Sequence, residues 1–402
     1  MKLALLSSVP LRTLLFFGAI LGITRAIELD DIRNITVTDV TTSSISLTWI
    51  EPKGNSSFYR VQWTDGNVSR SNNVTTTNIT ITNLTAGAQY EITVTAVTNE
   101  GRTEGLNTSV SQYTKPGEIG TPTVSTNTSS ISLQWTSPPG EVFKYRLEWT
   151  SNGDMRNVCT HDNFAVLSEL IPGTSYTISV IAVAGDNQTE GQAHRLTAVT
   201  KPEVVRNITV TDITTSSISL TWIEPKGNSS FYRVQWTDGN VSRSNNVTTT
   251  NITITNLTAG AQYEITVTAV TNEGRTEGLN TSVSQYTKPG EIGTPTVSTT
   301  TSSISLQWTS PPGEVFKYRL EWTSNGDMRN VCTYGNFAVL SELIPGTSYT
   351  ISVIAVAGDN QTEGQAHRLT AVTSKEMLLP FVLQLCGVCW FFGLIPVLLS
   401  HE

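Results

Sequence analysis

The residue pattern with the most chemistry in this 402-residue chain is Asn-x-Ser/Thr, the acceptor of N-linked sugar. It occurs at Asn34, Asn55, Asn67, Asn73, Asn78, Asn83 and Asn107. It returns as a second cluster at Asn207, Asn228, Asn240, Asn246, Asn251, Asn256 and Asn280. Elsewhere only Asn127, Asn187 and Asn360 carry it. One such tripeptide arises by chance in Ser/Thr-rich text. Seven in a stretch of under ninety residues predict a chain that is glycosylated in the secretory pathway. Asn34 and Asn78 fall on polar-facing positions of alternating segments, where a glycan projects without disturbing a core.

Other reactive residues make no site. Cys159 and His161 are two apart and face the same way on a strand, but zinc takes four ligands and nothing joins them. A repeat of this stretch has Cys332 followed by Tyr334, which removes the histidine. No metal and no cofactor is expected. Each cysteine reads as a half-buried free thiol or as the link in an intermolecular disulfide dimer. Asp30 and Asp31 are too few carboxylates for calcium and read as solvated surface. There is no nucleophile–base–orienter set and no glycine-rich phosphate loop, so no enzyme is expected. A net charge of −8 without clustered Lys and Arg excludes nucleic acid as a partner.

The elements that carry the sequons alternate with period two. In residues 44–49, Ile45, Leu47 and Trp49 share one face, and Ser44, Ser46 and Thr48 the other. The pattern returns at 130–135, 217–222 and 303–308. Around the first copy, strands are predicted at 34–40, 59–63 and 79–81, at a segment turning Ile92, Val94 and Ala96 inward, and through 110–114. Glu51-Pro52-Lys53-Gly54 and Asp65-Gly66 are turns, and Lys115-Pro116 closes the unit. Short strands with a turn signal every 8–12 residues predict an antiparallel sandwich of seven strands. Residues 33–200 reappear as 206–373 at a constant offset of 173. The four differences are Val40 to Ile213, Asn127 to Thr300, His161 to Tyr334 and Asp162 to Gly335. The repeats predict four domains, 27–116, 117–202, 203–289 and 290–374. Their core markers are Trp49 and Tyr90, Trp135 and Tyr176, Trp222 and Tyr263, and Trp308 and Tyr349.

Both ends are apolar. Lys2, the run 14–23 and Thr24-Arg25-Ala26 predict a secretory signal peptide over 1–26. Residues 377–399 hold no charge and are long enough for a hydrophobic helix that crosses a bilayer. A single-pass membrane protein with its body outside is expected, with a removable lipid-anchor signal as the alternative.

A Trp on the second strand, a Leu six residues before a Tyr and no paired core cysteines make each unit resemble the fibronectin type III module. In the second unit Leu170-Ile171-Pro172-Gly173-Thr174-Ser175-Tyr176 is similar to that family's Leu-x-Pro-Gly-x-x-Tyr corner. Ala86-Gly87 and Ala259-Gly260 depart from it where Pro-Gly is usual. The Thr-Glu-Gly loops at 103–105 and 189–191, the Thr-Lys-Pro linkers and the dense sequons resemble ectodomains of receptor-type tyrosine phosphatases of the eta-like group. Tenascin-like matrix proteins string such modules too. The resemblance implies an all-β chain of four tandem immunoglobulin-like sandwiches, with no phosphatase domain among these residues. It implies a cell-surface adhesion or receptor-like protein whose partners are extracellular or cell-surface proteins. The alternatives are a secreted matrix spacer, or a decoy form of a longer receptor. Glycans are expected to cover the first and third units and leave the second and fourth to a protein partner.

Overall fold

The computed structural model describes residues 30–98, 105–271 and 276–376. The signal-peptide segment 1–26 and the apolar segment 377–399 lie outside the described residues. Two compact units divide between Lys201 and Pro202, and each holds two β-sandwiches.

The first repeat is built from β1 (Arg33–Val40), β2 (Ile45–Ile50), β3 (Phe58–Thr64), β4 (Ser69–Val74), β5 (Asn78–Ile81), β6 (Gln89–Val97) and β7 (Thr108–Tyr113). One sheet has the order β1-β2-β5 and the other β4-β3-β6-β7, all antiparallel. Alternation decides which face each strand buries. Ile45, Leu47 and Trp49 of β2 meet Tyr59 and Val61 of β3 and Ile92, Val94 and Ala96 of β6 in one core. Trp49 packs edge-on against Tyr59 with ring centroids 5.3 Å apart, the geometry that aromatic quadrupoles favour. The second repeat comprises β8 (Thr123–Thr126), β9 (Ile131–Gln134), β10 (Lys144–Ser151), β11 (Asp154–Thr160), β12 (Phe164–Leu167), β13 (Ser175–Val183) and β14 (His194–Val199). Its sheets are β8-β9-β12 and β11-β10-β13-β14. The third and fourth repeats restate these two.

The sequence pattern misses β4 and its equivalents. Ser69-Arg70-Ser71-Asn72-Asn73 is polar and exposed throughout, so no alternation marks it. β9 stops one residue short of the predicted 130–135. Pro122 precedes β8 and cannot extend the ladder on that side, while on the β12 side Trp135 N–H still bonds the Asn163 carbonyl at 3.0 Å, as Trp49 bonds Thr77 in the first repeat.

Each repeat is locked at the corner between its fifth and sixth strands. The Tyr90 hydroxyl accepts a hydrogen bond from Thr85 N–H at 3.0 Å, and Tyr176 does the same for Ile171 at 2.9 Å. Tyr263 and Tyr349 repeat it. The Thr of each Thr-Lys-Pro linker ties the chain end to that corner. Thr114 and Thr200 are fully buried. Each donates its hydroxyl to a corner carbonyl, Thr85 or Ile171, at 2.6 Å. These threonines read as linker in the sequence, yet they are the last residues of the core.

Inside each two-repeat unit the altered corner has a partner. Glu141 N–H donates to the Ala86 carbonyl at 2.8 Å, joining the first repeat to the turn between β9 and β10 of the second. A Cβ on Gly87 would sit 1.8 Å from the Glu141 carbonyl oxygen, and one on Gly140 would sit 2.4 Å from that of Ala86. Both glycines also have positive φ, 70° and 97°. The third repeat docks on the fourth identically, Glu314 N–H to the Ala259 carbonyl at 2.8 Å.

Candidate binding surfaces and sugar-bearing faces

Every sequon asparagine is exposed. In the first repeat they occupy both sheet faces as well as the loops. Asn78 lies on the outer face of the β1-β2-β5 sheet, opposite Thr48, because its neighbours Ile79 and Ile81 point into the core. Asn73 lies on the outer face of the other sheet, opposite Arg60. Asn34 sits at a bulge in β1 with φ 56°, a left-handed conformation that asparagine tolerates better than most residues. Asn83 holds φ 60° beside the corner. Asn67 follows Asp65, whose Oδ1 accepts from the N–H groups of Val68 at 2.8 Å and Asn67 at 2.9 Å. Those two amides hold the Asp65 carboxyl below its ordinary 3.8. Asn55 lies between β2 and β3 and Asn107 just ahead of β7. The third repeat sets Asn207, Asn228, Asn240, Asn246, Asn251, Asn256 and Asn280 in the same places.

The second repeat carries its sequons only on loops. Asn127 caps the turn after β8, where its carbonyl accepts from Lys201 N–H at 2.9 Å. Asn187 lies between β13 and β14 with φ 62°. Beside it, burial raises the Asp186 pKa, but the Thr189 hydroxyl at 2.6 Å and the Thr189 and Gln188 amides outweigh that and leave it below 3.8. Asn360 holds the same loop position in the fourth repeat.

Register aligns the two kinds of repeat. Phe164 pairs with Gln134 just before Trp135, as Asn78 pairs with Thr48 just before Trp49. Where the first repeat turns Asn78 and Thr80 outward, the second turns out Phe164 and Val166, each 48% exposed. Phe337 and Val339 do so in the fourth, at 52% and 48%. Sequence periodicity passed over this outward pair. Aligning the repeats on their tryptophans would have exposed the exchange of a sequon for an apolar pair. On the other sheet of the second repeat, Arg146 bridges Glu148 at 3.1 Å and Glu190 at 2.9 Å.

The predicted core markers Trp49, Tyr90, Trp135, Tyr176, Trp222, Tyr263, Trp308 and Tyr349 are all buried. Cys159 and Cys332 are exposed on edge strands, not half-buried, because their side chains stand on the outer face beside Arg146 and Arg319. His161 turns its Nδ1 to the Phe143 carbonyl at 2.8 Å and its ring edge-on to Phe143. Among the described residues no group of three or more His, Cys, Asp or Glu could hold a metal ion.

Tandem seven-stranded sandwiches closed by a tyrosine corner define a modular repeat protein of the immunoglobulin-like class. Fibronectin type III domain models match residues 30–111, 116–196, 201–284 and 289–369, and the chain belongs to that family. It is 31% identical to receptor-type tyrosine-protein phosphatase eta of Gallus gallus over 84% of this chain and 25% of that protein. It is 33% identical to receptor-type tyrosine-protein phosphatase H of Homo sapiens over 85% of this chain and 32% of that one. Tenascin-R of Mus musculus is 29% identical over 82% of this chain and 25% of its own length. The chain thus spans a quarter to a third of the length of these relatives.

Proposed function

We propose that this chain is a glycosylated, non-catalytic adhesion or receptor-like protein that works outside the cell. In this reading its second and fourth repeats bind other proteins while the first and third are jacketed in sugar. The observation that carries it is the exchange at one register position: Asn78 and Asn251 in the odd repeats, exposed Phe164 and Phe337 in the even ones. N-glycans are bulky and hydrophilic, and they deny a sheet face to protein partners. An exposed aromatic on a face without sequons is the kind of anchor protein interfaces favour. The similarity to receptor phosphatases and to tenascin supports an extracellular setting. Segment 1–26 is proposed as the export signal and 377–399 as the membrane span.

Sugar masking tests the reading. Phe164→Asn with Val166→Thr, together with Phe337→Asn and Val339→Thr, writes Asn-x-Thr onto both even faces. Beads coated with the masked chain are expected to lose adhesion to cell monolayers that retain the parent chain. Undiminished adhesion, with sugar proven at both new sites, overturns it.

A further inference from the structure

In the third repeat a cleft of about 450 Å³ opens between the two sheets, lined by Trp236, Arg243, Asn245, Ile252, Thr253 and Asn256 among others. Asn256 belongs to a sequon and stands among the residues that line the cleft. Trp236 is only partly buried, and Arg243 stands directly across the strand pair from it. Asn256 is held at φ 59°. A cleft of the second repeat shares the corresponding Trp149, Arg156 and Glu169 but runs on toward the corner past Leu170, Ile171 and Tyr176, so its rim carries a glutamate where the third has the sequon asparagine. That cleft measures about 80 Å³, and Trp149 is 8% exposed. Small-ligand sites run to roughly 300–1,000 Å³, whereas a water occupies about 30 Å³. The larger cleft therefore suits a sugar ring, and the smaller one suits a few waters or a single polar group.

We propose that the first N-acetylglucosamine on Asn256 folds back into the Trp236 cleft, so that this sugar is a built part of the repeat. The proposal rests on the glycosylation reading above and assigns one glycan a docking site. The ring's C–H face covers apolar atoms of Trp236, Ile252 and Ile254. Its hydroxyls and acetamide meet Arg243, Asn245 and the outer backbone edge of the edge strand Asn251–Thr255. The covalent tether makes the contact intramolecular, so a weak interaction suffices to fill the cleft. The first repeat holds the same constellation in Trp63, Arg70 and Asn83, with φ 60° at Asn83. In the even repeats Glu169 and Glu342 hold that position at φ 57° and 58°, and no sugar can attach there.

The test is hydroxyl-radical footprinting of the full chain made in secretory cells. Trp63 and Trp236 yield the same peptide, so both sequons are removed together, by Thr85→Ala with Thr258→Ala. These substitutions leave Asn83 and Asn256 and their backbone in place. Three forms are compared: intact glycans, glycans trimmed by endoglycosidase to one N-acetylglucosamine, and the double variant. Remaining sugar is stripped after labelling, and the peptide shared by Trp149 and Trp322 is the internal control. Oxidation of the Trp63/Trp236 peptide is expected to be low in the first two forms and severalfold higher in the third, with the control peptide unchanged. Equal oxidation in all three overturns the docking and leaves glycosylation standing. Isotope-labelled deamidation showing no sugar at Asn83 and Asn256 overturns both.

Discussion

Single atoms hold each repeat closed at the corner. The Tyr176 hydroxyl is the acceptor for the Ile171 amide, and the buried Thr200 hydroxyl bonds the carbonyl of the same residue at 2.6 Å. One residue thus has both backbone groups satisfied by side chains, one from β13 and one from the segment just past β14. Tyr176→Phe keeps the ring packing and removes only the acceptor. Loss of one such part-buried hydrogen bond costs about 0.5–1.5 kcal/mol. Thermal unfolding of the full chain is expected to show the second repeat melting several degrees earlier than its fourth-repeat counterpart, whose Tyr349 is intact. Coincident melting would reduce the hydroxyl to a bystander. The tyrosines were legible from the Leu-x-Pro-Gly-x-x-Tyr spacing. Thr200 was not, because a threonine before Lys-Pro looks like any polar linker residue, and only the fold shows that its hydroxyl is the last buried group of the core.

At the scale of elements, strands that alternate were readable and strands that do not were invisible. β2 announces itself through Ile45, Leu47 and Trp49, whereas β4 is polar on both faces from Ser69 to Asn73 and buries only part of Val74. The outward pair Phe164 and Val166 was hidden for a related reason: a short apolar run, Phe-Ala-Val-Leu, reads as buried on both sides. The sequon positions, in contrast, were fully legible, since a tripeptide needs no fold to be recognised. The meaning of Ala86-Gly87 needed the structure, which shows another repeat pressed against it. Gly140→Ala with Gly313→Ala tests that contact. A methyl there meets the neighbouring carbonyl at 2.4 Å in the first unit and 2.3 Å in the second. Amide exchange at Glu141 and Glu314 is expected to accelerate markedly. Gly153→Ala with Gly326→Ala supplies the control. Those glycines have equally positive φ, 92° and 95°, but nothing lies within 4 Å of the added carbon. Acceleration in the control pair as well would assign the effect to backbone strain instead of docking.

The whole molecule is a duplicated pair of unlike repeats, one dense in sequons and one sparse. Four repeats were legible because residues 33–200 recur as 206–373 and each repeat carries its own tryptophan strand. A partner was not, because no residue of a binding face is dictated by the fold. At this scale the proposed anchor has its own measurement. Cells expressing the full chain are expected to retain it at their surface through phosphatidylinositol-specific phospholipase treatment, and release would identify a lipid anchor in place of a membrane span.

The bond between Glu141 and Ala86 has a bearing on how such a chain can grow. The copied block begins before the first docking corner and ends after the turn that receives it, so each round of gene duplication carries both halves of a finished joint. Copying one repeat alone would leave an Ala-Gly corner with no Pro-Pro-Gly turn to meet it, or the reverse. The heritable unit of expansion is therefore the cassette of two, and unequal crossing-over is free to add or delete cassettes without inventing a new fit inside any of them.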